Sequence, residues 1–426
     1  MNGRSLLPIL LLSAIAAPAW PQSPREAAVA IDRVPIPPID RFEVEQIGPP
    51  MAAPWSLAFL PDGRFLVTEK HGGIRIISRD GGATGRLPGG PPNVLQKVDN
   101  GLLDILLDPD FATNRFVYVA FVEGTEDANR TAIWKARLDG DRLSEGWVMF
   151  RVAAPKKGTG HPGGRMLFLP DKTLLLTVGD GYDFKDLAQD PASHLGKILR
   201  LTREGGAAPG NPFLGRAGTL PEIWTMGHRN VQGLTRDPAT GTIWAHEHGP
   251  RGGDEINELV AGRNYGWPRA SFGIDYDGKL ITDRQHVEGL TDPRFVWVPS
   301  IAPSGLAVYR GTVHPDWDGR LLVGGLAKPM LAQVRVHPKT GLLAEEGRWL
   351  VGLQARIRDV RVAPDGEIYL LTDNITAGFC GWLPRSSRRP SRPTIRSPRW
   401  PSLPASGQAP ASRRRLSSHR PSRNAG

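Results

Sequence analysis

The sequence predicts an all-β fold, a six-bladed β-propeller, from three observations. Six segments repeat one pattern: an apolar strand, a turn holding Asp, Gly or Pro, and a second apolar strand. The apolar runs are rich in Val, Ile, Leu, Phe and Tyr and too short for long helices. The chain carries 50 Gly and 40 Pro in 426 residues, the punctuation of many short strands and turns. A strand repeat about 50 to 70 residues long matches propeller blades joined by loops of variable length. Periodicity alone leaves a large β-sandwich open as the alternative.

In chain order the segments are WSLAFLPDGRFLVTE (55–69), GLLDILLDPDFATNRFVYVAF (101–121) and GGRMLFLPDKTLLLTVGD (163–180). They continue as VQGLTRDPATGTIWAHEHG (231–249), PSGLAVYRG with DGRLLVGGL (303–311 and 318–326), and RIRDVRVAPDGEIYLLTD (356–373). The turn prolines Pro61, Pro109, Pro170 and Pro238 are 48, 61 and 68 residues apart, and Pro364 closes the series. Asp62-Gly63 and Asp365-Gly366 favour hairpins. Residues 183–218 and the aromatic-rich 262–300 are the long connections, and long ordered loops in a compact fold tend to carry function.

Outside the repeats the composition changes. Residues 1–19 read as a signal peptide: Arg4, an apolar run from Leu6 to Ile15, and a small-residue Ala17-x-Ala19 cleavage pattern. The run is too short to span a bilayer, so the mature protein is expected in the periplasm or secreted, without stable membrane insertion. Residues 20–40 read as a flexible lead-in, 41–380 as the propeller and catalytic domain, and 381–426 as a disordered tail rich in Arg, Ser and Pro. That tail holds 11 Arg and no Lys, Asp or Glu, whereas the other 380 residues carry 42 basic and 43 acidic side chains. The overall charge of +10 is therefore confined to the tail and does not argue for a nucleic-acid partner. A single cysteine, Cys380, excludes a disulfide framework and a thiolate metal site. No HExxH, P-loop or GxSxG motif occurs.

Several residues carry candidate chemistry. His161 stands in Gly-Thr-Gly-His-Pro-Gly-Gly-Arg, just ahead of a predicted strand, where a neutral imidazole could take a proton or bind a metal. Arg229 and Asn230 enter a strand together, and a guanidinium beside an amide suits carboxylate or carbonyl recognition. Arg356 and Arg358 have the two-residue spacing that places both on one strand face, so they repel unless acids or a polyanionic ligand neutralise them. Asp359 is a possible partner for one of them, although it should point to the other face. The segment from His248 to Glu255 offers carbonyl and carboxylate oxygens that suit Ca²⁺.

The strings PWSLAFLPDG, GLLDILLDPDF, GHPGGR, HLGKILR, GHRNVQGL, EHGPRGGDEIN, NYGWP and PSIAPSGLAVYRG, spread over residues 45–375, resemble the soluble quinoprotein glucose/sorbosone dehydrogenase family. They look closest to its periplasmic aldose sugar dehydrogenase branch. The resemblance implies a six-bladed propeller that uses pyrroloquinoline quinone (PQQ) and Ca²⁺. It implies an aldose substrate oxidised at the C1 hydroxyl to a lactone, hydride transfer to PQQ C5, an external electron acceptor, and a monomer or homodimer. On this resemblance His161 is the general base, and Arg229 stabilises charge on the quinone oxygens. Asn230, Tyr276, Arg356 and Arg358 bind the cofactor. Gly249 and Pro250 give carbonyls to its Ca²⁺, and Glu255 and Tyr265 serve a further structural Ca²⁺.

Three positions depart from the family pattern. VDNG replaces the usual GQGG, which puts the shorter, anionic Asp99 where a cofactor-contacting glutamine is expected. In LAKP the cofactor lysine, Lys328, falls one position from its expected place. The final strand after LTD is replaced by NITAGFCGWLPRSSRR, so either the final strand is poor or ring closure relies on Phe42–Ile47. A non-catalytic extracytoplasmic binding propeller and a Ca²⁺-dependent propeller lactonase are the competing functions.

Overall fold

The computed structural model describes residues 28–30, 42–82, 84–373 and 377–384, which fall in one compact unit. The expected signal peptide and the basic tail beyond Pro384 lie outside the described residues.

The strands form six sheets in chain order. Sheet 1 is Pro54–Phe59, Phe65–Glu69, Gly73–Ile77 and Thr84–Arg86. Sheet 2 is Leu102–Leu107, Phe116–Gly124, Asn129–Asp139 and Arg142–Arg151. Sheet 3 is Met166–Phe168, Leu174–Val178, Lys197–Leu201 and Ile223–Met226. Sheet 4 is Val231–Arg236, Ile243–Glu247, Asp254–Leu259 and Phe295–Trp297. Sheet 5 is Pro303–Val308, Leu321–Gly325, Met330–Val336 and Leu343–Trp349. Sheet 6 is Ile357–Val362, Ile368–Thr372 and Ala377–Pro384, completed by Phe42–Met51 from the far end of the chain. Neighbours within these four-strand meanders are antiparallel. The first strand of each sheet contacts the first strand of the next, and sheet 6 contacts sheet 1. The fold is an all-β propeller, not a sandwich.

Each repeat seen in the sequence is the first two strands of one sheet. Those strands are buried on both faces, which is why they read as continuous apolar runs. In sheet 3, Leu174 and Leu176 pack with Tyr118 and Ile133 of sheet 2, whereas Leu175 packs with Val231 and Ala245 of sheet 4. In sheet 1, Leu66 faces sheet 2 and Val67 faces Leu371 of sheet 6. One apolar layer therefore fills each gap between sheets, including the gap that closes the ring.

Ring closure joins the two ends of the domain. Phe42–Ile47 pairs antiparallel with Phe379–Pro384, so the segment that departs from the family pattern still forms a strand, and closure rests on both ends of the domain. The last strand runs four residues past the expected boundary at 380. Within the lead-in, Ala28–Ala30 forms a short strand parallel to Phe295–Trp297.

Beside the first strands, two arginines and two aspartates form a buried quartet. Arg165 reaches Asp359 at 3.0 Å and Asp104 at 3.4 Å, and Arg361 reaches Asp104 at 2.9 Å and Asp359 at 2.8 Å. The Arg165 guanidinium also lies 4.1 Å over the Trp55 ring. Asp359 thus turns away from Arg356 and Arg358, as strand alternation requires. Removing one member of such a buried set costs about 3–5 kcal/mol, because its partners keep their charge without solvent.

Candidate active site

At the end of the ring where first strands begin and second strands end, loops from all six sheets enclose a cavity of about 660 Å³. His161, Arg229, Asn230, Asp99, Tyr276, Arg356 and Arg358 all line it. These seven candidates are spread over 260 residues of chain, and the ring brings them together.

His161 is buried and sits at φ +48°, in the left-handed region. Val98, Tyr182 and Ala302, which also line the cavity, share that conformation at φ +52°, +72° and +49°. Non-glycine residues held there cost about 1–3 kcal/mol each and persist where surrounding structure fixes them, often at functional sites. Gly179 allows the His161 turn to pack: a Cβ there would lie 2.2 Å from the His161 carbonyl oxygen.

The His161 imidazole donates through Nδ1 to Asp180 Oδ1 at 2.7 Å. Asp180 is almost fully buried and also accepts from Tyr182 N and Trp267 Nε1, both at 2.8 Å. Burial alone would raise the Asp180 pKa. The hydrogen bond and charge of His161, with Arg229 behind them, more than offset this and hold it below the usual range. An ionised carboxylate can only accept, so it fixes the proton on Nδ1 and leaves Nε2 as an acceptor. Arg229 stacks its guanidinium 5.4 Å from the Trp267 ring, and its Nη1 donates to the Gly249 carbonyl at 2.9 Å.

Lys70, Arg229, Arg356 and Arg358 give the cavity four cationic side chains, against the carboxylates of Asp99 and Asp183. Arg358 meets Asp373 at 2.6 Å, and Arg356 shares the same oxygen at 3.4 Å. Asp373 is the partner of this pair, in place of Asp359. Burial, then the neighbouring Arg358 charge, lower the pKa of Lys70. One carboxylate between two guanidinium groups and a lysine leaves net positive charge on this wall.

The other sequence candidates sit apart. Leu326 and Ala327 line the cavity, and Lys328 lies just beyond them. Gly249 and Pro250 are buried behind Arg229. Asp254 is saturated by Gly249 N, Ser300 Oγ, Ile301 N and Ala302 N, so its carboxylate braces the loop. Burial raises its pKa to about 6. Glu255 lies in a separate cluster with Glu247 and Asn257. Burial, then the Glu247 charge, push Glu255 well above the carboxylate range. The Asn257 Oδ1 is a buried acceptor with no donor among the described residues. Tyr265 stacks on His228 at 4.8 Å, and His228 donates to Glu247.

Sequence reasoning missed Asp180, Asp373 and Lys70. A signal for the first two was present. The second strand ends on or is closely followed by an acid in five repeats, at Glu69, Glu126, Asp180, Glu247 and Asp373. Each accepts hydrogen bonds from the chain entering its own sheet or the next, as Arg229 N does to Glu247 at 2.5 Å.

Fold and site define a propeller with a buried His–Asp pair facing a cationic cavity, a setting for proton transfer beside an anionic ligand. The chain belongs to the glucose/sorbosone dehydrogenase family, whose profile matches residues 51–380. It is 41% identical over 338 residues to an uncharacterized Synechocystis protein, covering 75% of this chain and 81% of that one. It is 37% identical over 350 residues to the aldose sugar dehydrogenase YliI of Escherichia coli, covering 80% and 93%. The PQQ-bound aldose sugar dehydrogenase of Streptomyces coelicolor superimposes with a TM-score of 0.65 at 30% identity, covering 82% and 99%. Among the described residues no helix is long and apolar enough to cross a membrane.

Proposed function

We propose that the protein is a PQQ- and Ca²⁺-dependent dehydrogenase that oxidises the C1 hydroxyl of aldoses to lactones and passes electrons to an external acceptor. The observation that carries this reading is one cavity holding both the His161–Asp180 pair and the cationic wall. We read each of the six sheets as one blade, and the secretory pattern at residues 1–19 as placing the enzyme in the periplasm or outside the cell.

The residues present fit the implied groups. Lys70, Arg356 and Arg358 would meet the carboxylates of the tricarboxylate, displacing or sharing Asp373, through charge-assisted bonds. Arg229 and Asn230 would contact the ring. Gly249 and Pro250 would offer carbonyl oxygens, hard neutral donors, to its Ca²⁺ once Arg229 turns its Nη1 away from the Gly249 carbonyl it now holds. Glu255, Glu247 and the donor-less Asn257 Oδ1 suit a second, structural Ca²⁺, with Tyr265 beside them. Bound in the cavity, the quinone supplies the two-electron acceptor.

The chain's own residues do the rest. Asp180 holds His161 with Nε2 free to accept the C1 hydroxyl proton. The resulting imidazolium is stabilised by the adjacent carboxylate. Arg229 supplies a fixed positive charge where negative charge develops. Tyr182 stands edge-on to His161 at 5.0 Å and forms part of the cavity wall beside the base.

The test is reconstitution with PQQ and Ca²⁺ followed by acceptor reduction with an aldose. Activity in the wild type and its loss in His161→Ala, with PQQ still bound, supports the assignment. PQQ binding without turnover of any aldose refutes it.

A further inference from the structure

We infer that the substrate end of this cavity selects aldoses by charge, favouring an aldose with a protonated amine over a neutral one and disfavouring a uronic acid. The inference rests on the dehydrogenase reading of the cavity and names its substrate class more closely.

The acids around the site fall into two groups. Asp180, Asp373 and Glu247 are engaged by His161, by Arg356 and Arg358, and by His228. Asp99 and Asp183 line the cavity, are exposed to it, and make no ion pair among the described residues. Asp183 lies toward His161. A Cβ placed on Gly158, three residues before His161, would be 3.6 Å from Asp183 Oδ2. Lys156 donates to the Gly158 carbonyl beneath the same loop and feels the charges of Asp180, Asp183 and Asp99. Its ammonium is committed to that carbonyl and buried, so it does not cap either carboxylate.

The cations Arg356, Arg358 and Lys70 form a second group, coupled to one another and to Asp373, and Lys70 also feels the charge of Asp99. A tricarboxylate bound there consumes their charge. With Lys70 engaged by the tricarboxylate, and Arg229 held over the Trp267 ring and against the bound quinone, Asp99 and Asp183 remain at the cavity surface without an ion-pair partner. The same end carries a flat apolar wall. The Tyr182 and Tyr276 rings stack at 6.5 Å and 24°, with Tyr182 between His161 and Tyr276. An aromatic face accepts the C–H face of a pyranose, and carboxylates accept its hydroxyls and attract an ammonium. Two carboxylates, each about 6 Å from a ligand charge at an effective dielectric near that of water, together change binding about tenfold.

The experiment uses the PQQ- and Ca²⁺-loaded protein and compares kcat/KM for glucosamine, glucose and glucuronate, at a pH that keeps the amine protonated. At low salt the expected order is glucosamine about tenfold above glucose and glucuronate about tenfold below it. The spread should collapse in high salt, because exposed charges are screened. Asp183→Asn and Asp99→Asn should each narrow the spread several-fold. Three sugars within twofold of one another at low salt, or a spread untouched by both variants, overturns the inference. A second measurement does not depend on turnover: calorimetric binding of the 1-O-methyl glycosides of the same sugars, which lack the C1 hydroxyl. Glycosides that bind in the expected order while no aldose is oxidised would sink the dehydrogenase reading and leave charge selection standing. Glycosides that bind alike while glucose is oxidised would do the reverse.

Discussion

Asp180→Asn (D180N) removes one acceptor from a carboxylate that serves three donors. The His161 Nδ1, the Trp267 indole and the Tyr182 amide converge on Asp180 at 2.7, 2.8 and 2.8 Å. An amide has one accepting oxygen and a donating NH₂, so at least one buried donor loses its partner. That costs about 1–3 kcal/mol of stability, which in a domain of this size lowers Tm by a few degrees. The larger effect falls on catalysis. With its oxygen in the Oδ1 position the amide keeps the His161 and Tyr182 donors and turns its NH₂ to the Trp267 indole, so the imidazole keeps its tautomer but loses the negative charge that stabilises the imidazolium. A hydrogen bond to a charged group is worth about 1.5–3 kcal/mol, so kcat should fall about ten- to a hundredfold in D180N. PQQ affinity, set by the cationic wall, should change by less than about threefold. Steady-state kinetics on reconstituted protein, with a fluorescence titration of PQQ, separates the two. A kcat within threefold of the wild type would refute the role given to Asp180.

Three further outcomes follow from the same geometry. Arg358→Gln removes a charge-assisted partner worth about 1.5–3 kcal/mol and should weaken PQQ binding about ten- to a hundredfold, read by the same titration. Ca²⁺ should relieve the Glu247–Glu255 repulsion: at a hundred times Kd it adds about 2.7 kcal/mol, a rise of several degrees in a thermal melt, reversed by chelator and reduced in Glu255→Gln. Lys197 is fully buried, donates to the carbonyls of Leu187 and Leu195, and burial lowers its pKa to about 7. Between that value and the unfolded value near 10.4 the unfolded chain binds more protons, so stability should rise with pH over this window by up to about 4–5 kcal/mol. Denaturant unfolding at pH 7 and pH 9 should show this rise in the wild type and a smaller one in Lys197→Met.

How much of this was legible in the sequence depends on where the constraints act. The first two strands of every sheet were visible, because burial on both faces writes a continuous apolar run on each side of a tight turn. Outer strands such as Gly73–Ile77 and Arg142–Arg151 were not, because they are partly exposed and their connections vary in length. Closure was readable in part: the apolar segment at Phe42 marked one closing strand, whereas Ala377–Pro384, which departs from the family pattern, was read as a replaced strand and forms one. Six of the seven site residues converge on the cavity because they lie at strand ends that any ring of sheets brings together, and Tyr276 reaches it from the long connection between Leu259 and Phe295. The partners were harder. His161 and Asp180 are joined by hairpin register and a strained turn, and the pairing of Asp373 with Arg356 and Arg358 depends on a side chain 15 residues away pointing inward. Neither appears in local periodicity. The recurring acid at the end of the second strand was the one sequence mark they left.

The measurement that tests the central claim most directly is a PQQ titration of the purified protein with Ca²⁺, followed by an artificial acceptor and a panel of aldoses. Saturable, roughly stoichiometric binding of PQQ, then aldose-dependent reduction of the acceptor that His161→Ala abolishes, is the predicted result. A protein that fails to bind PQQ, or binds it and oxidises no aldose, would contradict the assignment.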